Sequence, residues 1–404
     1  MICWLCKRLR KFRAQIINAA DLSVFLKSVY ISMSNERNFP KKRHRVTIKD
    51  VARASGVSYA TVSRVLNGYE FVRETTRNRV MEAVERLGYV ANVQARSLVS
   101  GRSHIIGLLV PNLDNSYVGT ITQGIDQELA RANCDVMLYT SHRHPGKESF
   151  YVKAIANGLT EGLLLVAPLV PTTYLDALRE QIYPYVLIDQ ADATESSSVV
   201  EATNWQGAYE ATCYLSQLGH TRIAFITGSL AVRSAIDRLE GFKAALVDCD
   251  LPFREELVLE GDYQQQTGFE ITKSLLQSVE SPPTAIFASN DLSAFGAMDA
   301  ARECGLRIPD DISIIGFDDI PQASFVYPKL TTVRQPLELM GRVAVKMLLE
   351  QIEDQSRPPQ RVALATQLVI RDSCGRTTQR DEHRKNVEES RRQPIANKPT
   401  PFSR

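Results

Sequence analysis

The sequence predicts an α/β protein with two unlike parts: an N-terminal three-helix head carrying a helix-turn-helix, then a large two-lobed, doubly wound core. Three observations lead there. Between Thr47 and Tyr89, apolar residues recur at helical spacing in three short segments. From His104 to about Arg371, short apolar runs alternate with helical stretches, as in parallel strands joined by helices. Charge is also segregated. Lys41 to Arg102 carries 13 Lys/Arg against 5 Asp/Glu, a net +8 in a chain totalling +2, which leaves −6 for the remainder. Such segregation marks either a module that meets a polyanion or a basic solvated face.

The head follows residue by residue. Thr47 can cap a first helix, with Asp50 three positions on as its capping-box partner. That helix is expected to bury Ile48, Val51, Ala52 and Ala54 before Ser55-Gly56-Val57 breaks it. A second helix runs from about Ser58 to Leu66 and stops at Asn67-Gly68. A third covers about Thr75 to Leu87, burying Val80, Ala83, Val84 and Leu87 before Gly88. Two crossing helices need a small residue at their contact and a tight turn. Ala52 and Gly56 supply these, while Val57, Val62 and Val65 pack inward. Tyr59, Ala60, Ser63 and Arg64 are left outside, where the start of a second helix enters a major groove. Arg64 suits bidentate contact with guanine. Lys49, Thr61, Ser63 and Asn67 could position phosphates, with Thr47 and Ser58 beside them at the helix starts.

In the core, the runs Ile105–Val110, Val136–Tyr139, Gly162–Val166, Tyr185–Ile188, Ile223–Ile226, Ala285–Ala288 and Ile312–Phe317 read as strands buried on both faces. Helical stretches such as 120–132, 207–218 and 292–303 lie between them. About 270 residues is large for one sheet, so two lobes are expected. Ligands in such folds sit at the carboxyl ends of strands. Polar and aromatic residues collect there: Asp114-Asn115-Ser116-Tyr117, Ser141-His142-Arg143, Asp189, Asn290-Asp291 and Asp318-Asp319. Carboxylates, amides and arginines bind sugar hydroxyls, and aromatic rings cover apolar sugar faces. Any single Asp among them reads as readily as a helix N-cap.

The flanks and absences narrow the function. Residues 1–45 read as a leader, disordered or a misassigned start, with Met33 as the expected initiator; the basic, broken N-terminus is a poor signal peptide. The charged tail from 376 to 404 is expected to be disordered. No stretch is apolar enough to span a membrane. Seven cysteines in mostly apolar runs read as buried thiols of a reducing, cytoplasmic protein. Cys3 and Cys6 form a C-x-x-C without the βαβ context that redox chemistry requires. His142 and His144 lack further ligands for a metal. No phosphate loop, dinucleotide fingerprint, H-E-x-x-H or G-x-S-x-G occurs. Neighbouring Asp318 and Asp319 point apart on a strand and cannot share a substrate. No enzyme activity, cofactor or metal is expected.

The ungapped stretch from Thr47 to Gly68 closely resembles the head of the lactose-repressor (LacI/GalR) family of bacterial transcriptional regulators, and the resemblance continues to about Gly375. It implies a periplasmic-binding-protein-like core at 104–375, behind a head at 46–91 and a hinge at 92–103. It places Tyr59, Ala60 and Arg64 on base-reading positions. Asn92 to Leu98 resembles the family's hinge helix, where Leu98, with Ala95 beside it, would wedge into the minor groove. Arg238 in Arg238-Leu239-Glu240-Gly241-Phe242 falls on the effector-holding arginine. Asn290-Asp291 and Gly316-Phe317-Asp318-Asp319 match two further motifs, the second with its first Asp on the ligand. Tyr117 and Tyr263 fall where stacking aromatics sit, and Asp189 where some sugar-binding members have a carboxylate. Ala91 replaces a usual Pro, Arg73 a usual Ser/Thr cap, and Thr203-Asn204 a usual Asp-Asn.

These readings converge on a cytoplasmic regulator, a repressor that binds double-stranded operator DNA. A sugar or sugar derivative controls it, and it acts as a homodimer or as a tetramer built from dimers. A transporter's solute-binding protein would share the two lobes but needs an export signal and has no use for the head. A constitutive architectural DNA binder has no use for the cleft.

Overall fold

The computed structural model describes residues 46–66, 69, 71–89, 102–158, 160–169, 171–190, 196–278 and 281–377. The leader with Met33, Cys3 and Cys6, and also Asn67, Asn92, Ala95, Leu98 and the chain after 377, lie outside them. Contacts divide the chain into two units, Met1–Arg96 and Ser97–Arg404.

In the first unit, α1 (Ile48–Ser55), α2 (Tyr59–Leu66) and α3 (Glu74–Leu87) enclose Val51, Val62, Val65, Val80 and Ala83. The Asp50 carboxylate accepts the Thr47 amide at 3.0 Å and its hydroxyl at 2.7 Å, fixing the start of α1. Gly56 closes α1 at φ 67°, a conformation open to glycine at no steric cost. Ala54 is exposed, contrary to expectation. Ser55 is buried instead, and its hydroxyl is satisfied by the Val51 carbonyl at 2.7 Å. α3 starts at Arg73 without a side-chain cap.

The second unit has two six-stranded sheets. The first runs β11 (Arg361–Leu364), β5 (Ser198–Ala202), β4 (Tyr185–Ile188), β3 (Gly162–Val166), β1 (Ile105–Val110), β2 (Asp135–Thr140), all parallel. The second runs β12 (Gln367–Val369), β10 (Thr331–Arg334), β9 (Ser313–Asp318), β8 (Ala285–Ala288), β6 (Ile223–Thr227), β7 (Val258–Glu260), with only β12 antiparallel. Both are covered by helices: α4 (Ser116–Arg131), α5 (Pro145–Ala156) and α6 (Leu175–Glu180) on the first, then α7 (Asn204–Gln217), α8 (Arg233–Asp248), α9 (Gln265–Ser278) and α10 (Asp291–Glu303) on the second. α11 (Leu337–Glu353) returns to the first lobe and packs on α4.

The central strands are buried on both faces, as their sequences require, but β2, like the other edge strands β7, β11 and β12, is not. It pairs only with β1, and as an edge strand it leaves Val136 and Leu138 exposed. The cysteines also differ from expectation. Cys134, Cys213, Cys249, Cys304 and Cys374 are half-buried thiols, on helices, helix ends and loops rather than at the centres of the sheets. The ordered core runs past 375, because Thr377 donates its amide to the Leu218 carbonyl at 3.2 Å.

Three short segments carry the chain between lobes: 202–204, 334–337 and 364–367. The first and third are joined, since the Thr203 and Thr366 hydroxyls lie 2.9 Å apart and the Thr366 amide donates to Thr203 Oγ1 at 2.9 Å. This topology sets the carboxyl ends of both sheets against one cleft.

Candidate functional site

A cavity lies in that cleft, with eight lining residues from each lobe. From the first lobe come Asn115, Tyr117, Arg143 and Asp189, with Pro111, Val118, Ala167 and Leu169 as the apolar part. From the second come Ser234, Arg238, Tyr263, Asn290 and Asp318, with Val232, Leu292 and Ile320. The space between its protein atoms is about 640 Å³, part of it open to solvent.

Arg238 is 2% exposed. Its Nε donates to Asn204 Oδ1 at 2.9 Å, and Nη1 donates to the Ser289 carbonyl. Its guanidinium lies 3.9 Å over the Phe317 ring, and Nη1 is 3.9 Å from Asp318. α8 can hold it there because Gly241 touches α7: a Cβ on Gly241 would stand 2.2 Å from the Trp205 carbonyl. Phe242 anchors the same turn by stacking on Phe225, 4.9 Å between centroids.

Asp189 links the lobes. It accepts the Tyr117 hydroxyl at 2.7 Å, the Ser234 hydroxyl at 3.4 Å and the Asn204 amide at 3.5 Å. Burial raises its pKa, against the pull of Arg238. Asp318 accepts from Gln335 Nε2 at 2.7 Å, and burial pushes its carboxyl up to about 7. Burial, aided by the Asp189 charge, keeps the Tyr117 phenol neutral. Asp319 turns the other way, to Arg334 at 2.7 Å and Arg371 at 2.6 Å.

Not every expected effector residue lies on the wall. Asp114 is exposed and outside the lining. Asp291 is buried behind the wall, where it accepts the Ile320 amide at 2.8 Å and the Thr332 hydroxyl. Its carboxylate fits only because Gly316 has no side chain; a Cβ there would stand 2.4 Å from Asp291 Oδ1. Asp291 therefore braces the turn that carries Asp318. Asn115 and Asn290 line the cavity, but each Oδ1 caps a helix, accepting Val118 N and Ser293 N at 3.0 Å. Tyr263 lies flat against Gly228, whose missing side chain leaves room for the ring. The sequence singles out neither Ser234 nor the supporting Asn204 and Gln335 as effector residues. It shows Arg143 only as part of the polar cluster after β2.

In the head, Tyr59, Ala60, Lys49 and Arg64 are exposed on the surface, Tyr59 at 48%. Among the described residues, no group pairs with the Arg64 guanidinium. The Ser58 hydroxyl accepts the Thr61 amide at 3.1 Å and lies 2.8 Å from Thr61 Oγ1, capping α2. Thr47 is exposed and Ser63 half-buried. Among the described residues, no helix is long and apolar enough to cross a membrane.

Residues 47–92 match the bacterial regulatory proteins of the lacI family, and residues 212–374 match the periplasmic binding protein-like domain. The chain is 33% identical over 332 residues to the HTH-type transcriptional repressor PurR of Vibrio vulnificus, covering 81% of this chain and 98% of that one. The chain belongs to the LacI family. In structure, this LacI-family member is similar to a lac repressor dimer bound to operator and the anti-inducer ONPF, with TM-score 0.71 and 29% identity over 82% of this chain and 99% of that one. It is also similar to the regulator CelR in complex with cellobiose, with TM-score 0.64 and 31% identity over 81% and 100%. It is a DNA-binding transcriptional regulator under metabolite control rather than the binding protein of a transporter.

Proposed function

We propose that this LacI-family regulator is a cytoplasmic repressor. Two copies pair to present two heads to a pseudo-palindromic operator, and a sugar-like effector in the inter-lobe cavity sets the affinity. The observation that carries the reading is an inter-lobe cavity whose polar wall converges from both lobes on the buried Arg238, with Asp189 and Asp318 beside it. The effector residues are Tyr117, Asp189, Arg238, Tyr263 and Asp318. Asn115 and Asn290 contribute wall, and Asp291 contributes bracing. On the head, Tyr59, Ala60 and Arg64 read bases, with Thr47, Lys49, Ser58, Thr61 and Ser63 toward phosphates. The unpaired, exposed Arg64 supports this assignment. The two-module arrangement has no use for catalysis, and the chain is read as a non-enzyme.

The test uses the intact protein. It should select a palindromic duplex from a random pool, and at least one sugar, sugar acid or polyol should both raise its melting temperature and alter that binding. If no duplex is preferred over bulk competitor in the presence or absence of the panel, the proposal fails.

A further inference from the structure

Four formal charges line the cavity, two of each sign, and one of them has no partner in contact with it. Arg238 is committed to Asn204, the Ser289 carbonyl and the Phe317 face, with two carboxylates near it. Asp189 accepts three hydrogen bonds, and Asp318 accepts Gln335. Arg143 is different. It lines the cavity, its Nε is buried without a hydrogen-bond partner, and its guanidinium forms no ion pair among the described residues.

Its backbone is fixed on both sides. Arg143 sits at φ 54° and donates its amide to the Pro111 carbonyl at 3.2 Å, and the next residue, His144, caps α5 by accepting the Gly146 amide at 3.2 Å. A left-handed backbone at a non-glycine residue is a strain that functional sites accumulate. Here it delivers to the cavity a cation that neither carboxylate pairs with.

We infer that the effector carries one anionic group, a carboxylate or phosphate on a neutral hydroxylated frame, and that Arg143 receives it. The inference rests on the effector role proposed for this cavity. A ligand filling the cavity strips water from Arg143. A neutral hydroxyl then leaves a desolvated charge uncompensated, whereas an anion neutralises it through charge-assisted, bidentate hydrogen bonds about twice as strong as neutral ones. Asp189 and Asp318, on the far side of the charge balance, argue against a second anion. They suit the hydroxyls of the frame, with Tyr117 and Tyr263 against its apolar surface.

The experiment is calorimetric titration of the intact protein with matched probes: glucose, glucuronate and glucose 6-phosphate; galactose and galacturonate; ribose and ribose 5-phosphate. One acid or phosphate should bind about tenfold or more tighter than its neutral parent, the size of one charged hydrogen-bonded contact. Arg143→Gln should erase that preference, and Arg143→Lys should keep part of it; unliganded melting curves show that both variants fold. The carboxylate and phosphate arms tell the two anions apart. A neutral parent that binds as well as its acid, an acid preference that persists in Arg143→Gln, or silence of the whole panel would each overturn the inference. Binding that survives Arg238→Ala would instead remove the cavity as the effector site, which is a separate failure.

Discussion

Replacing Asp318 by Asn should stabilise the ligand-free regulator near neutral pH, and the gain should shrink in acid. Burial raises the Asp318 carboxyl from an ordinary 3.8 to about 7 even though Arg238 and Gln335 pull it down. A carboxyl raised on folding contributes stability that is fully present below about pH 4 and is lost as the pH climbs through about 7. Once lost, that amounts to about 4 kcal/mol relative to a group that never ionises. Asparagine is such a group. It keeps the Oδ1 that accepts from Gln335, and it tolerates the left-handed backbone, φ 117°, better than most residues. The gain should therefore reach about 4 kcal/mol at pH 8 and fall to about 1–2 kcal/mol at pH 5. Urea unfolding of both proteins at the two pH values, at one protein concentration, measures it. A variant no more stable than the parent at pH 8 would refute the reasoning. It would mean that the 3.9 Å attraction to Arg238 outweighs the burial of the carboxylate.

Three further outcomes are expected. Arg64→Ala should weaken specific operator binding by ~1–3 kcal/mol per site while leaving binding to random duplex nearly unchanged; competition retardation reads the difference, and equal discrimination by both proteins would remove Arg64 from base reading. Arg238→Ala should abolish the effector-induced change in operator affinity, because it deletes the centre of the cavity's polar wall; a normal effector titration would contradict this. Gly241→Ala forces a methyl to 2.2 Å from a backbone carbonyl, so α7 and α8 must part. A loss of ~1–3 kcal/mol is expected, read as a lower urea midpoint, and an unchanged midpoint would show that the helices can slide without cost.

The head was almost wholly legible in the sequence because its determinants are local. Capping at Thr47-Asp50, the break at Gly56 and the i, i+3, i+4, i+7 spacing of Val80, Ala83, Val84 and Leu87 each act within a turn or two. The central strands were legible because a parallel strand buried on both faces must be apolar throughout. β5, β10, β11 and β12 were not, since Ser198, Glu201, Thr331, Arg334, Arg361 and Gln367 interrupt them. Several of these polar side chains are satisfied by partners distant in sequence, such as Arg361 to Glu201 at 2.7 Å. In the cavity the residue types were readable but not their directions. Asp291 and Asp318 look alike in sequence, yet one braces a turn and the other faces the cavity, and what separates them is the room left by Gly316. Arg143 depends on a left-handed turn that no glycine announces.

The same geometry suggests how a ligand could act beyond its own cavity. Five lining residues other than glycine hold positive φ: Arg143, Ala167, Asp189, Tyr263 and Asp318. Each sits at or just past the end of a strand, so the strain is concentrated where the two sheets face one another. The two charges at the centre are held by residues of the segments that cross between lobes. Asn204, on the first crossing, fixes Arg238 and touches Asp189; Gln335, on the second, fixes Asp318 and has an Oε1 buried without a partner. A ligand that takes hydrogen bonds from Arg238 or Asp318 therefore competes directly with the contacts that set the crossings. A change in lobe angle needs no longer chain of side chains than these two. Its size is bounded by the ligand's differential affinity for the two arrangements, typically a coupling of about 1–3 kcal/mol. Two or three hydrogen bonds exchanged at the crossings are enough to supply that.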